Sequence, residues 1–196
     1  MSKPSKKEQR QSELLPHIVS AFVEKGYQNT TTAELARRCQ VQETILYRLW
    51  PDKKSMFTHA IDYVGTNTVR IWREALKSLP LGKNSIQTFL EYESNHLGEF
   101  GNYRIIFSAL SETDDPQIKE ALQRMYWQIH TFLVELLVDQ GEAPAGNSIS
   151  IDNLAWSLMG LGTMATILKE LGILSDSQKQ HLLSEVGSKT LLKNDS

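Results

Sequence analysis

The chain has 196 residues, 40% of them apolar, with 21 Lys/Arg against 23 Asp/Glu and a net charge of −2, so it is long enough to bury a sizeable core as one domain or two small ones. A single cysteine, Cys39, excludes an internal disulfide and a cysteine metal cluster, and without an apolar amino-terminal segment the cytoplasm is the expected compartment. The longest uncharged apolar stretch, residues 154–168, is too short to span a bilayer, so no membrane partner is expected.

The charge is unevenly spread. Residues 1–54 carry ten Lys/Arg and six Asp/Glu, a net +4, and residues 55–196 carry eleven and seventeen, a net −6. A basic front on an acidic remainder fits a nucleic-acid-binding head attached to a body that should not touch DNA.

Residues 1–11 are polar, contain Lys3, Lys6, Lys7 and Arg10 and show no apolar periodicity, so they read as a basic flexible tail, either an arm on DNA or a solvated end. Leu14, Leu15, Ile18, Val19 and Phe22 then form a helical stripe closed by Gly26, with the regular helix starting or kinking at Pro16. Thr31 stands three residues before Glu34, the spacing of a capping box, and opens a short helix that turns Leu35, Ala36 and Cys39 inward. Residues 40–42 make a turn. Helical phase restarts through Val41, Ile45, Leu46 and Leu49 and stops before Pro51. Two helices of about two turns each, joined by a tight turn, are a helix-turn-helix, and they need neighbours to form a core.

Asp52 can cap the next helix, which carries Lys53 and Lys54 in its first turn and continues to about residue 78. Cations there oppose the helix dipole by about 0.3–1 kcal/mol each, an arrangement that suits a phosphate in front of the helix end. After a break at residues 79–82, helices are expected over 85–98 and 102–111. Asp115-Pro116 opens a long helix that ends before Gly141. A small polar loop covers 141–147. Two last helices follow at about 151–171, closed by Gly172, and 176–192, opened by a Ser175/Gln178 capping box. No strand pattern appears. The reading is all-α with about nine helices: a tail at 1–11, a helix-turn-helix head at 12–52, and a larger helical body at 53–196, for which the resemblance named below implies ligand binding and dimerisation.

Catalytic chemistry is not suggested. Glu93 and His96 make one Glu-x-x-His step, which paired di-iron sites use twice, and the other histidines lack the glutamate three residues before them. Residues 82–85 lack the first glycine and the preceding strand of a phosphate-binding loop. No nucleophile arrangement, metal site or cofactor is expected, and the chain reads as a non-enzyme.

The segment FVEKGYQNTTTAELARRCQVQETILYRLWPDKKSMFTHAI resembles the DNA-binding domain of TetR-family transcriptional regulators, with Phe22, Gly26, Tyr27, Thr31, Leu35, Ala36, Val41, Leu46, Tyr47, Pro51 and Lys53 where that pattern places them. The match covers residues 12–61. It departs at Gln40, where glycine is usual, at Gln42, the opening position of the second helix, and at Leu49, where histidine is usual. Gln40 must then take a left-handed conformation at a cost of about 1 kcal/mol or shift the turn.

The resemblance implies a homodimeric, ligand-responsive regulator, usually a repressor, on a near-palindromic double-stranded DNA operator. Gln42, Glu43, Thr44 and Arg48 are then the candidate base-edge readers, and Thr31, Arg37, Tyr47 and Lys53 the candidate phosphate contacts. It also places a pocket for an unknown small-molecule effector among the middle helices, where Phe89, Tyr92, His96, Tyr103, Arg104, Phe107, Tyr126, Trp127 and His130 are candidates; most of these aromatics must also serve as core. A stripe of small residues, Ala155, Gly162, Ala165 and Thr166, with Leu158, and then Leu182, Leu183 and Val186, would form a four-helix dimer interface or pack within one chain. A rival reading is a helical homodimeric ligand- or protein-binding module with weak or no operator binding, motivated by Glu43 and Leu49.

Overall fold

The computed structural model describes residues 4–77, 85–96, 103–139 and 150–191, and the side chains among them except those of 85–87, 139 and 186–191. Among the described residues the protein is all-α: α1 Lys6–Asn29, α2 Thr32–Arg38, α3 Glu43–Leu49, α4 Lys53–Lys77, α5 Ser85–His96, α6 Tyr103–Leu110, α7 Pro116–Asp139, α8 Ile151–Glu170 and α9 Asp176–Leu191. The expected break at 79–82, the loop at 141–147 and a helix end at 192 lie outside the described residues.

Two compact units form, residues 1–67 with 100–126, and residues 68–99 with 127–196. In the first unit α1, α2 and α3 bury the apolar stripe read from the sequence. Ile18, Phe22, Leu35, Leu46, Trp50 and Phe57 are sealed from solvent, and Phe22 meets Phe57 edge-on at 4.8 Å. The start of α4 and the helix α6 complete this core.

For residues 6–11 the first helix corrects the expectation of a flexible tail over 1–11; residues 1–3 lie outside the described residues. It opens at Lys6 because Ser5 and Glu8 form a reciprocal capping box, the Ser5 amide donating to Glu8 Oε2 at 2.7 Å and the Glu8 amide to Ser5 Oγ at 3.2 Å. Gln11 then donates from Nε2 to the Leu49 carbonyl at 2.8 Å, which fastens this early part of α1 to the end of α3. The helix passes straight through Pro16 and breaks instead at Gly26, whose φ of 73° and ψ of 172° lie outside the reach of residues with a Cβ. Thr30 closes the last turn by donating from its hydroxyl to the Gly26 carbonyl at 2.6 Å. The Tyr27 amide donates to Ser108 Oγ at 2.8 Å and the Gln28 amide group to the Glu112 carboxylate, so the end of α1 is pinned to α6 and the turn after it.

Asp52 and Asp115 cap as expected. Asp52 Oδ1 accepts from the Ser55 amide at 2.6 Å, and Asp115 Oδ1 from the Gln117 amide at 2.9 Å. Lys54 pairs with Asp115 at 2.9 Å.

In the second unit Trp72, Phe89, Phe132, Leu133, Leu137 and Leu154 lead a continuous apolar core. Ser150 caps α8 and the Ser175/Gln178 box caps α9. The small-residue stripe of α8 is spent within the chain: Ala155, Ala165 and Thr166 are buried, Leu158, Gly162 and Leu182 are partly buried, and Leu183 of α9 is buried. Ala155, Ala165, Thr166 and Leu183 therefore pack within the chain, while Leu158, Gly162 and Leu182 keep part of their surface, and Val186 lies outside the described side chains. The outward face of α8 carries Trp156, Gly160, Thr163 and Met164, roughly 145° round the helix from the small-residue stripe.

Candidate nucleic-acid interface

The head is built so that one short helix is anchored on one side and bare on the other. α2 begins where the Thr31 hydroxyl accepts from the Glu34 amide at 3.2 Å. Only this half of the expected capping box forms. The Glu34 carboxylate turns to Arg37, which grips it with Nε at 2.9 Å and Nη2 at 2.8 Å, and to Arg38 Nε at 3.0 Å, with Lys25 at 3.4 Å. Charge-assisted pairs outcompete a neutral amide donor for the same oxygens, and they hold the Glu34 carboxyl well below the usual carboxylate range. Arg38 also meets Glu24 and the Ser20 hydroxyl of α1, so the arginine locks α2 onto α1.

The turn is a Schellman motif. The Val41 amide bonds back to the Ala36 carbonyl at 3.0 Å and the Gln40 amide to the Arg37 carbonyl at 3.2 Å. Gln40 sits at φ 54°, the left-handed option. Gln42 then stands extended before α3 and makes no side-chain cap hydrogen bond.

α3 buries Leu46 and Leu49 and exposes Gln42, Glu43, Thr44, Tyr47 and Arg48, so all four candidate base readers and Tyr47 share the open side. Tyr47 is 49% exposed, its hydroxyl 3.2 Å from Thr32 Oγ1. Leu49 is core, which explains why a polar residue is not needed there for folding. Trp50 is fully buried behind it, its indole N–H without a partner.

Besides the Thr31 and Tyr47 hydroxyls, which have the partners given above, the two cationic candidate phosphate contacts are also engaged. Arg37 faces solvent but is held by Glu34. Lys53 donates to the Tyr27 carbonyl at 2.9 Å and lies 4.4 Å from the centre of the Tyr27 ring. Burial lowers its ammonium from the ordinary range. Neither the Glu34–arginine cluster nor the Lys53–Tyr27 contact was visible in spacing, although Glu34, Arg37 and Arg38 at i, i+3 and i+4 carried the helix part of that signal.

The effector candidates divide. Tyr103, Arg104, Phe107 and Tyr126 lie in the first unit, with the Arg104 guanidinium against the Tyr103 phenol at 3.1 Å. Phe89, Tyr92, His96, Trp127 and His130 lie in the second. There Phe89 packs on Trp72 at 5.1 Å, and Tyr92 stacks on His96 at 4.2 Å. His130 is buried and stacks on Trp156 at 4.3 Å, while Trp127, 57% exposed, meets both rings at 5.4 Å. The His130 Nε2 lies 3.3 Å from the Asp152 carbonyl. Glu93 and His96 part company: Glu93 takes the Trp72 indole and His96 Nδ1 turns to the Tyr92 carbonyl at 2.9 Å.

Residues 17–60 match the family model described as bacterial regulatory proteins, tetR family. The chain is 25% identical over 163 residues, 80% of its length and 81% of the relative's, to the nucleoid occlusion factor SlmA of Vibrio cholerae serotype O1. It is 29% identical over 102 residues, 50% of its length and 47% of the relative's, to the nucleoid occlusion factor SlmA of Haemophilus influenzae strain PittGG. Among solved structures it is similar to a transcriptional regulator from Saccharomonospora viridis in complex with choline, with a TM-score of 0.78 at 14% identity over 95% of this chain and 99% of that one. It is also similar to the regulator FadR of Bacillus subtilis in complex with stearoyl-CoA, with a TM-score of 0.72 at 11% identity over 92% and 97%. The helix-turn-helix segment of this chain thus matches the model of the tetR family of bacterial regulatory proteins, and the chain has the all-helical fold of the solved transcriptional regulators it is similar to.

Proposed function

We propose that the protein is a homodimeric, ligand-responsive transcriptional repressor that binds a palindromic operator through α3. The observation that carries this reading is the two-sidedness of α3: Leu46 and Leu49 are buried while Gln42, Glu43, Thr44, Tyr47 and Arg48 are bare. A helix held by its apolar side and presenting amide, carboxylate, hydroxyl and guanidinium groups has the chemistry to read base edges in a major groove. Arg48 suits guanine, Gln42 adenine and Glu43 cytosine. Tyr47 and Thr31 set the register on phosphates, and Lys53 and Arg37 join them when their internal partners share their donors.

Dimerisation is assigned to the outward face of α8. That helix has no charged residue from Asn153 to Leu168, and its exposed side offers Trp156 at 39% and Met164 at 51% exposure around Gly160. In a two-fold interface each residue near the axis meets its own copy, so an uncharged apolar strip with a small residue at its centre suits self-association. Effector response is supported by the two similar regulators crystallised with choline and with stearoyl-CoA and by the aromatic side chains of the second unit. An effector acts through its different affinity for two states.

Selection of bound sequences from random duplex DNA, followed by salt titration of the winner and of an unrelated duplex, tests the reading. A palindromic consensus and a steep salt dependence are expected; no preference and no salt dependence would favour a helical binding module without an operator. A second reading, nucleoid occlusion, is favoured by the similarity to the factors of that name over as much as 80% of the chain. Binding sites scattered over the chromosome, with division septa crossing nucleoids when the protein is removed, would select it.

A further inference from the structure

The ion-pair cluster on α2 has more cations than carboxylates. Lys25, Arg37 and Arg38 gather on Glu34, and Glu24 is the second carboxylate, on Arg38. The two arginines are held differently. Arg38, its side chain 20% exposed, lies between α1 and α2 and has Glu24 and the Ser20 hydroxyl besides Glu34. Arg37 is 70% exposed, and among the described residues Glu34 is the only hydrogen-bond partner of its guanidinium, through Nε at 2.9 Å and Nη2 at 2.8 Å. That two-point grip on a carboxylate uses the same pair of parallel donors that arginine offers to a phosphate. Glu34 would not be stranded if Arg37 let go. Its side chain is 14% exposed, and Oε1 keeps Arg38 Nε at 3.0 Å and Lys25 Nζ at 3.4 Å, so the heavy cost of leaving a shielded charge without a partner does not arise. In a helix-turn-helix on DNA the second helix enters the groove and the first crosses the phosphate backbone; here that first helix is α2.

We propose that Glu34 is an internal stand-in for DNA phosphate: in the free protein it occupies the donors of Arg37, and duplex DNA moves Arg37 from Glu34 to a backbone phosphate while Arg38 and Lys25 retain the glutamate. The exchange rests on the reading of the head as a binder of duplex DNA and names the residue that controls one of its phosphate contacts. Glu34 is then a positioning residue with two effects. It keeps the Arg37 side chain in one orientation before DNA arrives. It also lowers affinity for every duplex alike, because a phosphate has to displace a carboxylate before Arg37 contributes, and phosphate contacts carry no base information.

The test uses the full chain and a duplex of random sequence, with affinity measured between about 50 and 200 mM salt. Glu34→Gln keeps the length and removes the charge; it should tighten binding about 3- to 10-fold at the low end and steepen the salt slope by up to about 0.9, the share of one phosphate. In the Arg37→Ala background the same change should alter affinity less than about twofold, since the two residues act as a coupled pair. Glu24→Gln, on the other carboxylate of the cluster, should give no gain that depends on Arg37. No gain in Glu34→Gln, or a gain of equal size with and without Arg37 and so due only to the loss of a negative charge, would overturn the exchange. Should Glu34→Gln fail to fold, the parent decides. Its Arg37 Nε–H resonance, identified by its loss in ¹⁵N-labelled Arg37→Lys, should shift on saturation with duplex and return when salt releases the DNA, and a resonance indifferent to DNA would overturn the proposal. A parent that binds no duplex at all refutes the reading of the head and the exchange with it; a parent that binds without an Arg37-dependent gain refutes the exchange alone.

Discussion

Gln40 occupies, at φ 54°, the position after α2 that Gly172 occupies, at φ 69°, after α8. The hydrogen bonds around the two are the same: Val41 to Ala36 and Gln40 to Arg37 in one, Ile173 to Leu168 and Gly172 to Lys169 in the other. One chain thus closes two helices with one motif, once with the residue that has no Cβ and once with a glutamine that strains against its own carbonyl.

Gln40→Gly is accordingly expected to stabilise the head. Relief of a left-handed non-glycine residue gains about 1–2 kcal/mol, and the extra freedom of glycine in the unfolded chain returns about 0.5–1 kcal/mol of that. A net gain of roughly 0.5–1 kcal/mol should appear in urea unfolding. Gly172→Ala should cost about 1 kcal/mol by the same measurement; equal stability of both variants and the parent would mean the turns relax freely.

Glu43 is expected to govern discrimination more than affinity, because a carboxylate beside phosphates is repelled unless it accepts a hydrogen bond from a base. Glu43→Ala should flatten preference at one position in each half-site and leave binding to random DNA equal or tighter. Arg48→Ala should cost about 1–3 kcal/mol on the selected operator and less on other sequences. Competition across single-base variants at fixed salt distinguishes these outcomes from a uniform loss.

Gly160 separates fold from assembly. A Cβ added there meets nothing within 4 Å, and replacing glycine inside a helix gains about 1 kcal/mol of helix stability. Gly160→Leu should therefore unfold at the same or higher temperature at low concentration while dimerising more weakly, because the partner helix can no longer approach. Sedimentation of parent and variant checks this, and an unchanged dimer would place the seam elsewhere.

Two glutamates should pull the pH dependence of stability in opposite directions. The folded Glu34 carboxyl lies below its unfolded value because Arg37 and Arg38 hold it, so its contribution is present above about pH 4.5 and is lost as pH falls toward the folded value. Glu34→Gln should blunt the acid limb. Glu93 lies above its unfolded value, about 7 against 4.5, so the folded state holds the extra proton, and stability declines from about pH 4.5 until pH passes 7. The decline attributable to Glu93 is on the order of 3 kcal/mol at most, and Glu93→Gln should remove it. Unfolding curves between about pH 2 and 4.5 carry the Glu34 test, and curves at about pH 5, 6.5 and 8 the Glu93 test.

The helix-turn-helix was legible because its signals are local. Caps such as Asp52 and Asp115, the stop at Pro51 and the apolar phase of Leu35, Leu46 and Leu49 involve residues within one or two turns, and each came out as spacing implied. The exposure of Gln42, Glu43, Thr44, Tyr47 and Arg48 follows from that phase alone, since a short helix that buries Leu46 and Leu49 must present its other side.

What only the tertiary structure decided are contests between partners distant in sequence. Whether Glu34 completes a box with Thr31 or goes to arginines depended on Glu24 and Ser20 of α1 drawing Arg38 into place. Whether residues 6–11 form an arm or a helix depended on the Leu49 carbonyl receiving Gln11, together with a box between Ser5 and Glu8. The small stripe of α8 could face a partner or its own chain; Ala155 and Ala165 are buried within the chain, Leu158 and Gly162 only partly so, and Trp156 and Met164 stand outside. In sequence the Glu93–Trp72 bond had no signal at all, because an indole and a carboxyl 21 residues apart share no period, and only the packing of α4 on α5 brings a polar hydrogen to a carboxyl that water would otherwise have claimed.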